Sequence, residues 1–419
     1  MAGICLETGI RKRKMRMVDK MEKEMFGKTM DYYREHGCQY TASEIHSQPA
    51  LWKKTAEMLL DRKQDISHFM EKMMSVEHLR IITTGAGSSA FIGETMQYLL
   101  AKEMGIRMEN VHTTDIISAS DSVLFDVPTL LISYGRSGES PESSAAVKFA
   151  EEKIKTVYHI IIVCDGESKL ANAAREKDNA LVLVMPEGSC DKGFAMTSSV
   201  SCMSLATWCI FHYQDIETYA GYLLSLADSA EEQMEILAEK AQQIAENEYR
   251  RIIWLGTGAL KGLAREACIK SMELSDGFVH AGYDAPMGFR HGPKTVINDE
   301  TITIHFLSNQ EDSLRYDLDF AEEVIREKQG NLVVTVGEKK TNNLISGEDY
   351  KVVYTIPEEI PTGSEMGAYI NCLLFAQLLS MKKSLQLGYT TDSPSQKGDV
   401  NRVVQGVVIY DLKDGTPIE

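Results

Sequence analysis

Ile81-Ile82-Thr83-Thr84-Gly85-Ala86-Gly87-Ser88-Ser89 decides the fold. A short apolar run ends in Gly-x-Gly, and apolar residues then recur at helical spacing over 90–104. This is a strand, a tight turn and a helix, the opening of an α/β unit. The same pattern returns at Ile252-Ile253-Trp254-Leu255-Gly256-Thr257-Gly258, with helical spacing over 260–274. Duplication of one α/β unit is the simplest account.

Working outward, apolar strands are expected at 79–84, 129–134, 159–164 and 180–184 in the first half. In the second half they fall at 252–255, 301–307, 332–336 and 352–355. Helical spacing occupies 51–74, 90–104, 141–155, 198–213, 225–248, 260–274, 315–328 and 367–382. Short apolar strands between amphipathic helices predict an α/β protein. Each half is a parallel sheet with helices on both faces, a flavodoxin-like three-layer sandwich. The expected organisation is an N-terminal segment (1–48), a first domain (49–224), a second domain (225–395) and a C-terminal tail (396–419) that closes the site.

Composition excludes several classes. The 419 residues carry a formal net charge of −17, against the basic face a nucleic-acid binder needs. No apolar stretch reaches the roughly 20 residues that span a bilayer, so no membrane partner is expected. Residues 1–30 are basic at 11–16 and lack the apolar core of a signal peptide. Met15 and Met17 are candidate alternative starts. The eight cysteines show no CxxC pair and no histidine at metal spacing. Scattered thiols fit a reducing cytoplasm, with neither metal nor cofactor expected. Cys190 alone lies in a polar loop and is not expected to be catalytic.

Three segments have the make-up of an anion cradle: Gly85-Ala86-Gly87-Ser88-Ser89, Gly135-Arg136-Ser137-Gly138-Glu139-Ser140 and Thr197-Ser198-Ser199. Glycine lets the backbone approach a ligand, hydroxyls donate, and a helix N-terminus adds partial positive charge. Any one of them could merely cap a helix; three in one domain point to a phosphate. No third glycine follows at dinucleotide spacing, and the nucleotide-triphosphatase loop is absent.

The second half carries the candidate chemistry. Glu266, Lys270 and Glu273 are spaced i, i+4, i+7 on one helical face, among Ala267, Cys268, Ile269, Met272 and Leu274. An exposed ion pair would be worth little. Charges on a buried helix need partners or a role. His291-Gly292-Pro293 follows in a tight loop between Arg290 and Lys294. Two flanking cations disfavour a third, so the imidazole is expected to stay neutral and able to accept a proton.

Taken together, the Gly-x-Gly-Ser-Ser turn, the Arg-Ser-Gly-Glu-Ser-Pro-Glu-Ser loop and the Glu–Lys–Glu helix before His-Gly-Pro resemble the sugar isomerase (SIS) family in tandem. Residues 136–143 and 195–199, with the tail Asn401-Arg402-Val403-Val404-Gln405-Gly406-Val407, are similar to its bacterial galactosamine-6-phosphate deaminase/isomerase branch. The resemblance spans about residues 45–415.

By resemblance to the isomerase domain of glucosamine-6-phosphate synthase, Ser88, Ser89, Gly135, Arg136, Ser137 and Ser140 hold the phosphate; Thr197 and Ser198, from the composition of the third hydroxyl loop, are expected in the same binding set. Glu273 moves the proton between C1 and C2, Lys270 supports it, and His291 opens the ring from the neighbouring subunit. A homodimer, or an assembly of dimers, follows. The partner is a phosphorylated amino sugar or ketose. Two departures stand out: the spacing from Glu273 to His291 is longer than in the synthase, and the synthase's C-terminal lysine falls near Val404. An imine to that lysine is therefore not expected. The resemblance leaves open a fructosamine-6-phosphate deglycase, a plain aldose–ketose isomerase and a sugar-phosphate sensor.

Overall fold

Two five-stranded sheets carry the chain. The computed structural model describes residues 24–328, 330, 332–345, 350–398, 400–404 and 406–418. Residues 1–23 of the expected N-terminal segment, Met15 and Met17 among them, therefore lie outside the described residues, as does Gln405 of the tail. The strands are β1 (Arg80–Thr84), β2 (Glu109–Asn110), β3 (Thr129–Gly135), β4 (Val157–Val163) and β5 (Ala180–Val184). The second set is β6 (Arg251–Leu255), β7 (His280–Asp284), β8 (Thr301–Phe306), β9 (Leu332–Glu338) and β10 (Tyr350–Tyr354). Every neighbouring pair is parallel.

The first sheet runs β2-β1-β3-β4-β5, and the second, read from its other edge, β7-β6-β8-β9-β10. The two orders are the same, as a duplication requires, and follow the flavodoxin-like pattern. Its ligand crevice opens where the order reverses, at the carboxyl ends of β1 and β3. The turns also match: Gly87 (φ 56, ψ −132) and Gly258 (φ 59, ψ −122) share a conformation that residues with a Cβ rarely adopt.

The long helices are α1 (Gln39–Asp61), α2 (Lys63–Met74), α3 (Ser88–Met104), α4 (Pro141–Lys153), α5 (Ser198–Phe211), α6 (Ile216–Ala245), α7 (Ala259–Leu274), α8 (Glu311–Glu327) and α9 (Met366–Gln386). Helices α1, α3, α5, α6, α7 and α9 pack on one another between the sheets, and one apolar core runs through them. Smaller cores lie on the outer face of each sheet. The expected boundary at 224/225 falls inside the single helix α6.

Three differences from the sequence reading have plain causes. The helix expected over 51–74 is two, bent at Arg62 (φ −99, ψ 8), whose guanidinium donates to the Val182 carbonyl on β5. Strand β2 is too short to show periodicity. Strand β7 (His-Ala-Gly-Tyr-Asp) is an edge strand without an apolar run.

Placement of the site depends on one close approach. A Cβ on Gly262 of α7 would stand 2.7 Å from the backbone nitrogen of Thr95 on α3. Only glycine lets the two helices that follow the Gly-x-Gly turns meet this closely. The contact brings the Glu266–Lys270–Glu273 face of the second half to the Ser88–Ser89 end of the first.

Candidate active site

A cavity of about 270 Å³ opens at the carboxyl ends of β1 and β3. Its floor is the N-terminus of α3, with Gly87, Ser88 and Ser89, and the β3–α4 loop, with Gly135, Arg136, Ser137, Gly138 and Ser140. Residues of the expected cradle thus share one concave surface. Ser140 caps α4, accepting from Ser143 N at 3.3 Å, and Pro141 starts that helix. Ser137 Oγ accepts from Glu139 N at 3.3 Å. Cap formation and cradle lining coexist here, since a capping hydroxyl keeps its own proton to donate.

Glu273, from the second half, lines the opposite wall. Its Oε2 accepts from Lys270 Nζ at 2.6 Å, and that nitrogen lies 3.5 Å from Glu266 Oε1. The face inferred from i, i+4, i+7 spacing is a charge chain, with side chains 3%, 1% and 27% exposed from Glu266 through Lys270 to Glu273. Burial pulls the Lys270 ammonium down, but attraction to Glu266 and Glu273 outweighs it and leaves its pKa above an ordinary lysine. Lys270 is therefore a fixed positive charge. Burial, reinforced by Glu273 and opposed by Lys270, pushes the Glu266 carboxyl up to about 7. The carboxyl strongly shifted by burial is thus Glu266, behind the cavity, while Glu273 is partly open to it.

Arg136, which lines the cavity, also has partners behind it. Its guanidinium is largely buried and donates to the carbonyls of Phe194 (3.0 Å) and Arg402 (2.7 Å). It ties the loop over 190–197 to the C-terminal tail. Arg402 donates in turn to the Asp191 carbonyl. The tail, residues 400–404, lines the cavity, Val404 included.

Thr197 and Ser198 do not reach the cavity, a correction to the sequence reading. Asp191 fills the N-terminus of α5 with its carboxylate. It accepts from the backbone nitrogens of Thr197, Ser198 and Ser199 and from the hydroxyls of Thr197 and Ser199. The Ser198 hydroxyl donates to the Glu44 carbonyl. The third hydroxyl loop is an anion cradle, but its anion belongs to the chain.

His291 lies apart from this cavity, exposed on its loop. Its flanking cations do not face it alone: Arg290 pairs with Asp319 and Glu323, and Lys294 with Glu323 and Glu327. Sequence reasoning missed Tyr134, Phe194 and Met196 in the lining and placed Arg402 only within the tail that closes the site. Tyr134 could have been found, because it ends the strand that leads into the cradle. The others come from segments without a repeating pattern.

Residues 73–213 match the SIS domain family. The chain is 36% identical to the D-galactosamine-6-phosphate deaminase AgaS of Shewanella sp. (strain ANA-3), over 90% of this chain and 93% of that protein. It is 36% identical to the protein of that name in Escherichia coli, over 88% of this chain and 95% of the other. This chain belongs to the AgaS family of tandem SIS proteins. The Escherichia coli tagatose-6-phosphate ketose/aldose isomerase superposes with a TM-score of 0.81 at 32% identity, covering 89% of this chain and 97% of that one. Among the described residues no group of histidine, cysteine or carboxylate side chains is arranged to hold a metal, and no helix is long and apolar enough to cross a membrane.

Proposed function

We propose that this AgaS-family chain is an amino-sugar-phosphate deaminase/isomerase that converts galactosamine 6-phosphate and water into tagatose 6-phosphate and ammonia. One observation carries the reading: Glu273, paired with Lys270, faces across one cavity the glycine and serine loops of the other half. A phosphate on those loops leaves C1 and C2 of an open-chain hexose at the Glu273 wall. Glu273 takes the C2 proton as general base. The Lys270 ammonium stabilises the charge that develops at O1. Return of the proton to C1 gives a C2 imine, and water replaces its nitrogen, releasing ammonia. The remote phosphate supplies binding energy that orients the reacting carbons.

Ring opening needs a proton moved between O5 and O1, and His291 is assigned to it. The exposure of that residue away from its own chain's cavity supports a homodimer in which each His291 completes the partner's site. Ser88, Ser89, Gly135, Ser137 and Ser140 are assigned to the phosphate; Arg136 supports them through Phe194 and Arg402.

The Escherichia coli structural neighbour is a ketose/aldose isomerase by name, and that reaction is the same proton transfer with a hydroxyl at C2. The deciding experiment incubates the purified protein with galactosamine 6-phosphate, glucosamine 6-phosphate, fructoselysine 6-phosphate and tagatose 6-phosphate, measuring ammonia and sugar products. Ammonia from galactosamine 6-phosphate is expected. Interconversion of tagatose 6-phosphate with its aldose and no ammonia from any amino sugar would establish the plain isomerase instead.

A further inference from the structure

The segment over 190–197 delivers Phe194 and Met196 to the cavity. Its shape is imposed from outside by a carboxylate on α1. Glu44 is buried, and its Oε1 accepts from Lys192 N at 2.5 Å and from Gly193 N at 3.3 Å, with Oε2 3.2 Å from the latter. A Cβ on Gly193 would stand 3.0 Å from Glu44 Oε2 and 3.0 Å from Thr41 Oγ1, so this carboxylate lies directly on the loop backbone. The next residue, Phe194, gives its carbonyl to Arg136, and Ser89 Oγ lies 3.7 Å from Met196 Sδ. Two successive backbone N–H groups thus end on one buried carboxylate, one residue before the loop becomes cavity wall.

We propose that Glu44 is a positioning residue for substrate binding: it fixes residues 192–193 and through them holds Phe194 and Met196 against the phosphate cradle. The inference rests on reading the cavity as the phosphosugar site. A glutamine has the same shape but one carbonyl oxygen in place of two, and its amide would direct N–H groups at N–H groups. Above pH 7, where the buried Glu44 carboxyl is ionised, the loop would then lose hydrogen bonds to a charged acceptor, the stronger kind. The slackened part contacts the cradle side of the cavity through Arg136 and Ser89, so affinity suffers more than chemistry.

The test compares wild type with Glu44→Gln and with Gly193→Ala, which leaves Glu44 in place and presses the loop off it. Amide exchange is followed by NMR at Lys192 and Gly193 and in the interiors of α5 and α6. KM and kcat are measured with galactosamine 6-phosphate, and binding of the same sugar by calorimetry. Both variants are expected to speed exchange at the two loop amides by about tenfold while the helix interiors keep wild-type rates. KM is expected to rise about fivefold or more, with kcat within about twofold. Unchanged loop exchange, or faster exchange throughout the molecule, would overturn the positioning role. Faster loop exchange with unchanged KM would overturn its link to binding. A wild-type protein that neither binds nor turns over the sugar would bring down the reading of the cavity itself, an outcome distinct from failure at the loop amides.

Discussion

Lys270 holds the reactive wall together. Its ammonium lies between two carboxylates on one helix face, 2.6 Å from Glu273 and 3.5 Å from Glu266, with almost no exposure. Removing one partner from a buried ion cluster leaves the remaining charges uncompensated. Lys270→Met is therefore expected to do two separable things. Ammonia release should fall at least about 100-fold, from loss of the charge that meets O1. Unfolding free energy in urea should fall by about 3 kcal/mol, from two carboxylates left facing each other. A variant that loses stability but keeps turnover would confine Lys270 to scaffolding. The i, i+4, i+7 spacing makes this trio legible in the sequence alone. It does not reveal which carboxylate is buried, because that depends on the packing of α7 on α3 rather than on the helix itself.

The elements show why one hydroxyl-rich loop looked like another. Thr197-Ser198-Ser199 has the composition of the cradle and sits at a helix start, as the cradle does. The difference lies in Asp191, whose carboxylate takes five donors there. Asp191→Ala should strip that cap and lower stability by about 2–3 kcal/mol, read as an earlier urea midpoint. Near-wild-type stability would mean that water replaces the carboxylate at no cost. The strand–turn–helix units could be read from the sequence because apolar periodicity and glycine turns are local. Strands β2 and β7 could not, being short or polar edges held by their neighbours. The tail, expected to close the site, shows no such local pattern; its place over the cavity is set by Arg136 and Arg402 meeting across the fold.

For the whole molecule, burial of acids shapes stability against pH. Burial pushes the Asp317 carboxyl, between Thr257 Oγ1 and Ser308 N, up to about 7; Glu44 and Glu266 reach the same value, also chiefly through burial. Unfolded carboxylates titrate near 4. Between about pH 4 and 7 these three groups hold protons in the folded chain that they have released in the unfolded one, so their contribution to stability declines as pH rises through that window. Asp317→Asn escapes its share of the decline. Its stability relative to wild type should climb by roughly 2–4 kcal/mol from pH 5 to pH 8 in urea titrations, and parallel curves would refute the assignment. The proposed shared site makes a second whole-molecule prediction. Glu273→Gln and His291→Ala chains, each inactive alone, should recover roughly a quarter of wild-type activity after unfolding and refolding together, since half the dimers are mixed and each has one intact site. No recovery would place both residues in one chain's site. The central claim is that Glu273 moves the C2 proton of a sugar whose phosphate rests on the other half's loops. Its most direct measurement is calorimetric binding of galactosamine 6-phosphate to Glu273→Gln beside the rate of ammonia release. Affinity should stay within about twofold of wild type while release falls by about 1,000-fold. Ammonia released at the wild-type rate would contradict the account.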